Sequence, residues 1–238
     1  MGAAMPRYSL MLVCSAILIA SGIGIASAAD LPEAPPPPVA YVPAAPQFSW
    51  SGFYIGGNAG YGWSSSSGTL TTTTGPEPFT ASGNGFLGGA EAGYNWQAGP
   101  AVFGAEADFQ GTTGSGPISA TAGPTISGTA KTPWFGTLRG RLGYAYDRIL
   151  FYGTAGGVYG DSTMSGTVST AGPFSSSTTF WSWTAGAGIE AAFWGCWSAK
   201  FEYLYIGTPN KMPAIPTVTA VSESAYANVV RAGLNYHF

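Results

Sequence analysis

The chain has 238 residues, of which 36 are glycine, and only 8% of its residues carry a charge. A typical soluble domain has about 25% charged residues, so a surface built from this sequence would carry too little charge for water. The formal net charge of −3 comes without a basic run, which excludes an electrostatic footprint for nucleic acid. Beyond the N-terminus there is no run of about 18 or more apolar residues, which excludes helical membrane spans.

Residues 1–28 have the organisation of a secretory signal peptide. Arg7 provides the positive n-region, Leu10–Ala20 the apolar core and Ala26–Ala28 the small-residue cleavage site. The apolar core is short for a membrane anchor, and the small residues follow it at the spacing of a cleavage site. We therefore expect cleavage before Ala29.

Residues 29–49 form a proline-rich segment centred on Pro35–Pro38. This composition favours an extended, polyproline-like tether that cannot bury a hydrophobic core. A simple spacer and a docking segment for a periplasmic partner are both compatible with it. In either case the folded domain is expected to span residues 50–238.

From Trp50 to the C-terminus, apolar residues recur with a period of two. In the last stretch, residues 224–238, the apolar Phe238, Tyr236 and Leu234 alternate with polar or small residues. This period is typical of a strand with one apolar and one polar face. The alternation predicts eight strands, at about residues 50–63, 86–97, 103–110, 134–146, 149–160, 181–193, 197–205 and 224–238.

The connections between the predicted strands alternate between tight turns and long stretches. The tight turns are at residues 98–100, 147–148 and 194–196. The long connections, rich in Ser, Thr and Gly, are at residues 64–82, 112–131, 161–179 and 208–223. This rhythm is typical of outer-membrane barrels, whereas a soluble sandwich would carry polar residues on the face that here carries tryptophans. The predicted fold class is all-β, an eight-stranded antiparallel up-and-down transmembrane β-barrel.

The apolar face of each predicted strand is expected to face lipid, because a single closed sheet has no second layer to cover it. Aromatic residues gather near the strand ends, as in the girdles at the two membrane interfaces. The predicted girdle residues are Trp63, Tyr94, Trp96, Trp134, Tyr144, Tyr146, Trp181, Trp183, Trp197, Tyr203, Tyr205, Tyr236 and Phe238. The fifth predicted strand, residues 149–160, is apolar on both faces, so the pattern does not orient it.

The inward face is expected to hold charged residues of both signs. These are Glu91, Glu106, Asp108, Arg139, Arg141, Glu190, Lys200, Glu202 and Arg231. An eight-stranded barrel is only wide enough for side chains to fill it, so we expect the four cations to bridge to the five carboxylates across the lumen. Two interpretations stay open: an internal ion-pair plug, or a narrow polar conduit lined or gated by these side chains.

Five segments resemble a family of small porin-like outer-membrane proteins from alphaproteobacteria that includes immunodominant surface antigens of the opacity type. The segments are WSGFYIGGNAGYGW (residues 50–63), VFGAEADF (102–109), GTLRGRLGY (136–144), KFEYLY (200–205) and VRAGLNYHF (230–238). The resemblance covers the whole predicted barrel and implies eight strands, periplasmic termini and long loops on the cell surface. It also implies that Phe238 is part of the signal read by the barrel-assembly machinery. It carries no catalytic residue.

Catalytic, cofactor-binding and metal-binding residues are expected to be absent. The sole histidine, His237, lies beside the C-terminus, and nothing in the sequence places a serine and an acid beside it. Removal of the signal peptide would take Cys14 and leave Cys196 as the single cysteine, which excludes an intramolecular disulfide and a Cys/His metal cluster. The glycine-rich segment 83–89 lacks the following helix that a phosphate site needs.

Two functions are compatible with these features. The first is a structural, surface-interaction and antigen-like role, with Ser/Thr/Gly-rich loops exposed and the lumen filled by ion pairs. The second is a narrow porin-like channel for small polar solutes or ions. The expected partners are outer-membrane lipid, lipopolysaccharide and the barrel-assembly machinery, with no nucleic acid. The barrel is expected to be a monomer in the bacterial outer membrane.

Overall fold

The alternating sequence folds into antiparallel strands. The structure, a computed structural model, describes residues 48–72, 75–121, 125–209 and 218–238. The strands are β1 (Gly52–Thr72), β2 (Gly75–Ala98), β3 (Ala101–Thr112), β4 (Ser115–Thr121), β5 (Thr125–Lys131), β6 (Trp134–Tyr146), β7 (Ile149–Val168), β8 (Gly172–Trp194), β9 (Trp197–Ile206) and β10 (Val218–His237). Within these ranges no helix is long and apolar enough to cross a membrane. The predicted signal peptide and all but the last two residues of the predicted tether lie outside the described residues.

Eight of the ten strands close into a ring. Neighbours pair antiparallel in the order β1, β2, β3, β6, β7, β8, β9 and β10, and β10 pairs back with β1. In the closing pair, Tyr54 lies opposite His237 and Ser67 lies opposite Ser224. Around the ring every strand is paired on both sides, which a wall surrounded by lipid requires. Beyond Ile206, the end of β9, no pairing joins β8 and β10 among the described residues. The predicted all-β, antiparallel up-and-down barrel is confirmed.

Two of the segments predicted to be long loops, residues 64–82 and 161–179, consist mostly of strand, so these two predictions are wrong. β1 runs on to Thr72 before β2 begins at Gly75, and β7 runs on to Val168 before β8 begins at Gly172. Threonine is a good strand former, and pairing with a neighbouring strand satisfies the backbone groups of these long segments. Gly75 and Gly172, with φ of 135° and 84°, adopt a backbone conformation at the reversals that other residues rarely adopt.

A further hairpin replaces the predicted loop at residues 112–131. Its strands β4 and β5 pair with each other, and the hairpin pairs with β2 on one side and β7 on the other. The barrel wall therefore continues well beyond the eight-stranded ring. The fourth predicted loop, residues 208–223, falls partly outside the described residues, and β10 already begins at Val218.

Three two-residue turns mark one end of the barrel, which we call the turn end. They are Gly99-Pro100, Asp147-Arg148 and Gly195-Cys196. Gly99, Asp147 and Gly195 have φ of 59°, 52° and 53°, the left-handed region that two-residue hairpin turns require. The opposite end, which carries the β4–β5 hairpin, is called the far end.

Large apolar side chains cover the outside of the ring in two aromatic bands. The band at the turn end contains Phe53, Tyr94, Trp96, Phe103, Trp197, Tyr236 and Phe238. The second band contains Tyr61, Phe86, Phe109, Trp134, Tyr159, Trp181, Trp183, Tyr205 and Tyr226. On β1 the exposed Trp63 lies two residues beyond Tyr61 and marks the outer limit of the second band. Phe53 and Trp63 are about 33 Å apart along the strand, which a tilt of about 40° reduces to a height of about 25 Å. This is the height of the lipid-facing band of outer-membrane barrels.

β7 contains the predicted strand whose faces the sequence pattern could not assign. Leu150, Tyr152 and Val158 are buried in the lumen, whereas Phe151 and Tyr159 are exposed on the outside. The strand is apolar on both faces because its inward side chains lie in the apolar parts of the lumen, above and below the charged residues.

Candidate functional site

The inward side chains are stacked in three layers, because alternate residues of every strand point into the ring. The turn-end plug contains Phe48, Trp50, Val102, Ala145, Leu150, Tyr152 and Ala192. The charge layer in the middle contains Glu91, Glu106, Asp108, Arg139, Arg141, Glu190, Lys200, Glu202 and Arg231. The apolar layer on the side of the far end contains Leu87, Phe135, Val158, Leu204 and Val229.

Trp50 fills the turn end of the lumen. Its exposed fraction is 0%, and its ring meets those of Phe48 and His237 edge-on, with centroids 4.9 and 5.6 Å away. The Trp50 backbone N–H donates a hydrogen bond to Gln97 Oε1 at 2.8 Å. Trp50 comes before β1 yet lies inside the ring, so the chain closes its own turn end.

Arg139 is at the centre of the charge layer. Its guanidinium pairs with Glu106, with Asp108 Oδ2 at 2.9 Å and with Glu202 Oε1 at 3.0 Å. Arg139 Nε donates to Thr137 Oγ1 at 2.9 Å, and the Thr137 hydroxyl donates to Asp108 Oδ2 at 2.7 Å. These carboxylates come from β3 and β9. Arg139, on β6, therefore connects strands on different sides of the lumen.

Arg231, on β10, shares all three carboxylates, with Glu106 Oε1 the most distant at 3.5 Å. Its Nη2 lies 2.6 Å from Glu202 Oε2 and 3.0 Å from Asp108 Oδ2. The two guanidinium groups would repel each other if they were alone in a low dielectric, and the carboxylates between them offset that repulsion. Arg139 and Arg231 are therefore held as one network.

Lys200 extends the network to β2. Its Nζ lies 2.5 Å from Glu91 Oε1 and 3.1 Å from Glu106 Oε2. The other oxygen of Glu91 accepts a hydrogen bond from Asn58 Nδ2 at 2.7 Å. The carboxylate of Glu91 is thus bound by one charged and one neutral donor, which offsets the cost of its burial.

Arg141 and Glu190 form a second cluster nearer the turn end. The two side chains pair directly, and the guanidinium carbon of Arg141 lies 3.7 Å from the ring centroid of Tyr152 in a cation–π contact. Arg141 Nη1 is 3.3 Å from Tyr54 Oη, which donates to Glu106 Oε2 at 2.7 Å. The Tyr54 hydroxyl therefore links the two clusters.

All nine predicted lumen charges lie inside the ring, and each is within ion-pair distance of a partner of opposite sign. Their side chains are 0–2% exposed. A buried ion is tolerated only when it is paired and hydrogen-bonded, as these are. The predicted assembly residue, Phe238, lies outside the ring, exposed at the turn end, with its N–H donating to Phe53 O at 2.9 Å.

A serine, a histidine and an acid meet near the turn end, which sequence reasoning did not place together. Ser198 Oγ lies 3.0 Å from His237 Nε2, and it donates to Glu190 Oε1 at 2.5 Å. In a Ser-His-acid site the acid binds Nδ1, but Glu190 lies 3.3 Å from Nε2, and Nδ1 has no partner among the described residues. The three side chains are buried, so this group anchors Glu190 and presents no nucleophile. In the described ranges no three His, Cys, Asp or Glu side chains form a group suited to a metal ion.

Sequence reasoning also missed the apolar residues of the lumen. The polar inward face was the expectation, but the turn-end plug and the apolar layer enclose the charge layer from both ends. The sequence pattern could have revealed these residues, because alternate residues of a strand lie on the same face. Leu87 is on the same face of its strand as Glu91, and Val229 is on the same face as Arg231.

A cavity of about 270 Å³ lies above the apolar layer at the far end. Phe79, Ile118 and Met164, from β2, β4 and β7, line its wall. Phe135 and Val229 of the apolar layer form its floor. The lining is therefore contributed by both the ring and the additional hairpin.

Comparison with known proteins gives the same architecture. Residues 38–238 match the family model of the outer membrane protein beta-barrel domain. The 31 kDa outer-membrane immunogenic protein of Brucella melitensis is 37% identical over 207 residues, covering 80% of this chain and 85% of that protein. The 22 kDa outer membrane protein of Rhizobium leguminosarum is 35% identical over 170 residues, covering 71% of this chain and 69% of that protein.

Among solved structures, the outer membrane protein OprG of Pseudomonas aeruginosa superposes with a TM-score of 0.52 at 14% sequence identity. The match covers 79% of this chain and 97% of that one, and it shows a shared fold. The ring of strands, its lipid-facing aromatic bands and the matched residues lead to one conclusion. The chain belongs to the outer membrane protein β-barrel domain family, and its relatives include the small outer-membrane proteins of Brucella and Rhizobium.

Proposed function

We propose that this protein is a non-conducting, non-enzymatic barrel that presents its far end on the outside of the cell. In this proposal the charge layer acts as a salt-bridge-filled lumen that closes and stabilises the barrel. The far-end wall is the surface that contacts the environment. The proposal rests above all on the burial of the lumen charges.

Three closures in series support the absence of conduction. The side chains of the charge layer are 0–2% exposed, so a water molecule does not reach them along the lumen. Trp50 closes the turn end, and Phe135 and Val229 lie between the charges and the far end. A polar conduit would instead need charged side chains along a continuous open path.

The proposed orientation places the turn end in the periplasm and the far end outside. Short periplasmic turns and longer extracellular segments are the layout of outer-membrane barrels. The exposed ring of Phe238 at the turn end is accessible there to the barrel-assembly machinery. Among the side chains that the structure describes on the far-end wall, Lys131 and Asp161 are charged and the others are neutral. This low charge favours neutral contacts over electrostatic recognition of lipopolysaccharide. Relatives named as immunogenic are consistent with surface presentation.

The refolded protein should give no steady channel openings in a planar bilayer. A closed lumen leaves no continuous path for ions, and insertion is verified by the changed gel migration of the folded barrel before heating. The ion current through a bilayer containing the Arg139→Ala variant, recorded under the same conditions, tests which layer blocks the lumen. Brief channel openings would assign the barrier to the charge layer, and the absence of openings would assign it to the apolar layers. Steady small openings in the parent would contradict the closed lumen and support the narrow-pore function.

A cysteine-labelling experiment tests the orientation with the chain's own thiol. Cys196 is exposed in a turn at the turn end. A maleimide on a polymer too large for the outer membrane should leave Cys196 unlabelled on intact cells and label it after lysis. The matched control is Cys196→Ser with Ala171→Cys, since Ala171 is exposed at the far end and should be labelled on intact cells. Labelling of Cys196 on intact cells would reverse the orientation.

A further inference from the structure

The far-end cavity is a half-open space with a largely apolar lining, to which hydroxyl and amide side chains such as Ser82, Asn84 and Thr132 also contribute. Phe79, Ile118 and Met164 are almost fully buried around it, although they belong to the part of the wall beyond the ring. Protein interiors are normally packed to the density of organic crystals, and a void lined by apolar groups forfeits their contacts. A space of about 270 Å³ with a largely apolar lining therefore needs an explanation.

Small residues on the wall keep this space open. Gly62 and Ala81 line the cavity from β1 and β2, and Ala130 lines it from β5. A Cβ at Gly62 would meet its nearest atoms only at 3.5 Å, so the backbone there has room for a side chain. At Gly62 the space is therefore left by the missing side chain, whereas at Gly85 and Gly116 the close approach of neighbouring backbone excludes one.

The chemistry of the lining defines what can occupy the cavity. Every described residue that lines it is uncharged. A buried water needs about two to four polar partners, which the floor formed by Phe135 and Val229 does not offer. An engineered apolar cavity of about 150 Å³ binds benzene and stays dry otherwise, and small-molecule sites begin at about 300 Å³. The cavity therefore suits an uncharged molecule somewhat larger than benzene.

We propose that the far-end cavity is a binding site for a small, uncharged apolar molecule. The apolar layer forms the base of the site, and the charge layer beneath it excludes apolar molecules because they cannot replace its ion pairs. The site therefore retains its ligand and is not the entrance of a passage. The wall on the β1–β2 side of the cavity is continuously paired, whereas on the β8–β10 side no pairing joins the two strands beyond Ile206 among the described residues. A lipid acyl chain is therefore the competing occupant that the test has to separate.

Photolabelling of the full mature chain in lipid vesicles tests the site. The probe is trifluoromethyl-phenyldiazirine, an uncharged aromatic molecule, and indane is the competitor. Labelling mapped by peptide mass spectrometry should be about tenfold higher at the inward Met164 than at the neighbouring outward Ser165, and excess indane should remove most of it. Labelling of the lipid-facing aromatic bands should increase in proportion to the probe concentration without saturating, because no binding site is involved there.

Filling the cavity provides the matched variants. Ala81→Trp should lower Met164 labelling about tenfold, whereas Thr80→Trp, on the outward face of the same strand, should leave it unchanged. Ala130→Trp with Thr129→Trp repeats the comparison on β5, and the gel migration of unheated samples shows which variants have folded. Equal labelling of Met164 and Ser165, or unchanged Met164 labelling in folded Ala81→Trp and Ala130→Trp, would overturn the site. Phospholipid that co-purifies with the parent and is lost from folded Ala81→Trp would overturn the choice of ligand.

Discussion

Arg139→Ala is expected to lower the free energy of unfolding of the barrel by about 3–5 kcal/mol, the cost of removing one member of a buried ion-pair network. The substitution leaves Glu106, Asp108 and Glu202 with one cation fewer in a layer whose side chains are almost fully buried. Arg231 still contacts all three carboxylates and Lys200 still contacts Glu106, but the five lumen carboxylates would then be paired with only three cations. The change should appear as a lower midpoint of urea unfolding in detergent or lipid.

Arg148→Ala is the matched control, because Arg148 is an exposed arginine in a two-residue turn. Its unfolding midpoint should stay within error of the parent. Combining Arg139→Ala with Glu106→Gln should recover part of the loss, since one uncompensated charge is removed with the cation. An Arg139→Ala midpoint equal to that of Arg148→Ala would show that the pairing contributes nothing to stability.

Trp50→Ala is expected to cost about 3–5 kcal/mol, the range for truncating a fully buried large aromatic side chain. The Trp50 ring packs on Phe48 and His237, and Trp50 is the largest side chain of the turn-end plug. Truncation would leave a cavity beside His237 and admit water to the contact that joins His237 to Glu190. Urea unfolding of the folded variant measures this loss.

Trp194→Ala is the control for the loss of a tryptophan as such, because Trp194 is 76% exposed at the turn end. Its effect should be clearly smaller than that of Trp50→Ala. Trp50→Phe should recover part of the stability, since it retains an aromatic ring in the plug. If Trp50→Ala and Trp194→Ala shift the midpoint equally, Trp50 does not act as a plug.

We expect the charge layer to contribute to strand register in addition to stability. A shift of one residue would turn Arg139 towards lipid, and a shift of two residues would separate it from Asp108 and Glu202. Apolar side chains tolerate such shifts better, because their contacts are not directional. Buried ion pairs often add little net stability compared with apolar replacements, so we assign specificity of register as their second contribution.

The strand faces were predictable because the period of two assigns each residue to the inside or the outside. Phe53 and Ile55 are exposed and Asn58 is buried, as the alternation in residues 50–63 indicates. The tight turns were predictable from their length and from residues that accept the left-handed region, such as Gly99 and Gly195. The extended strands at the far end were not, because Ser, Thr and Gly are as common in loops as they are tolerated in paired strands.

The sequence by itself determined the fold class, the lipid-facing surface and the identity of the nine charged residues that point inward. The tertiary structure alone decided which of them meet: Lys200 and Glu106 are 94 residues apart in the chain, yet their charged atoms are 3.1 Å apart. It also decided that Trp50, which precedes the first strand, closes the turn end, and that a cavity remains at the far end. The physical reason is that alternation assigns a side chain to a face, whereas its height in the lumen and its neighbours across the ring depend on the register of strands distant in sequence.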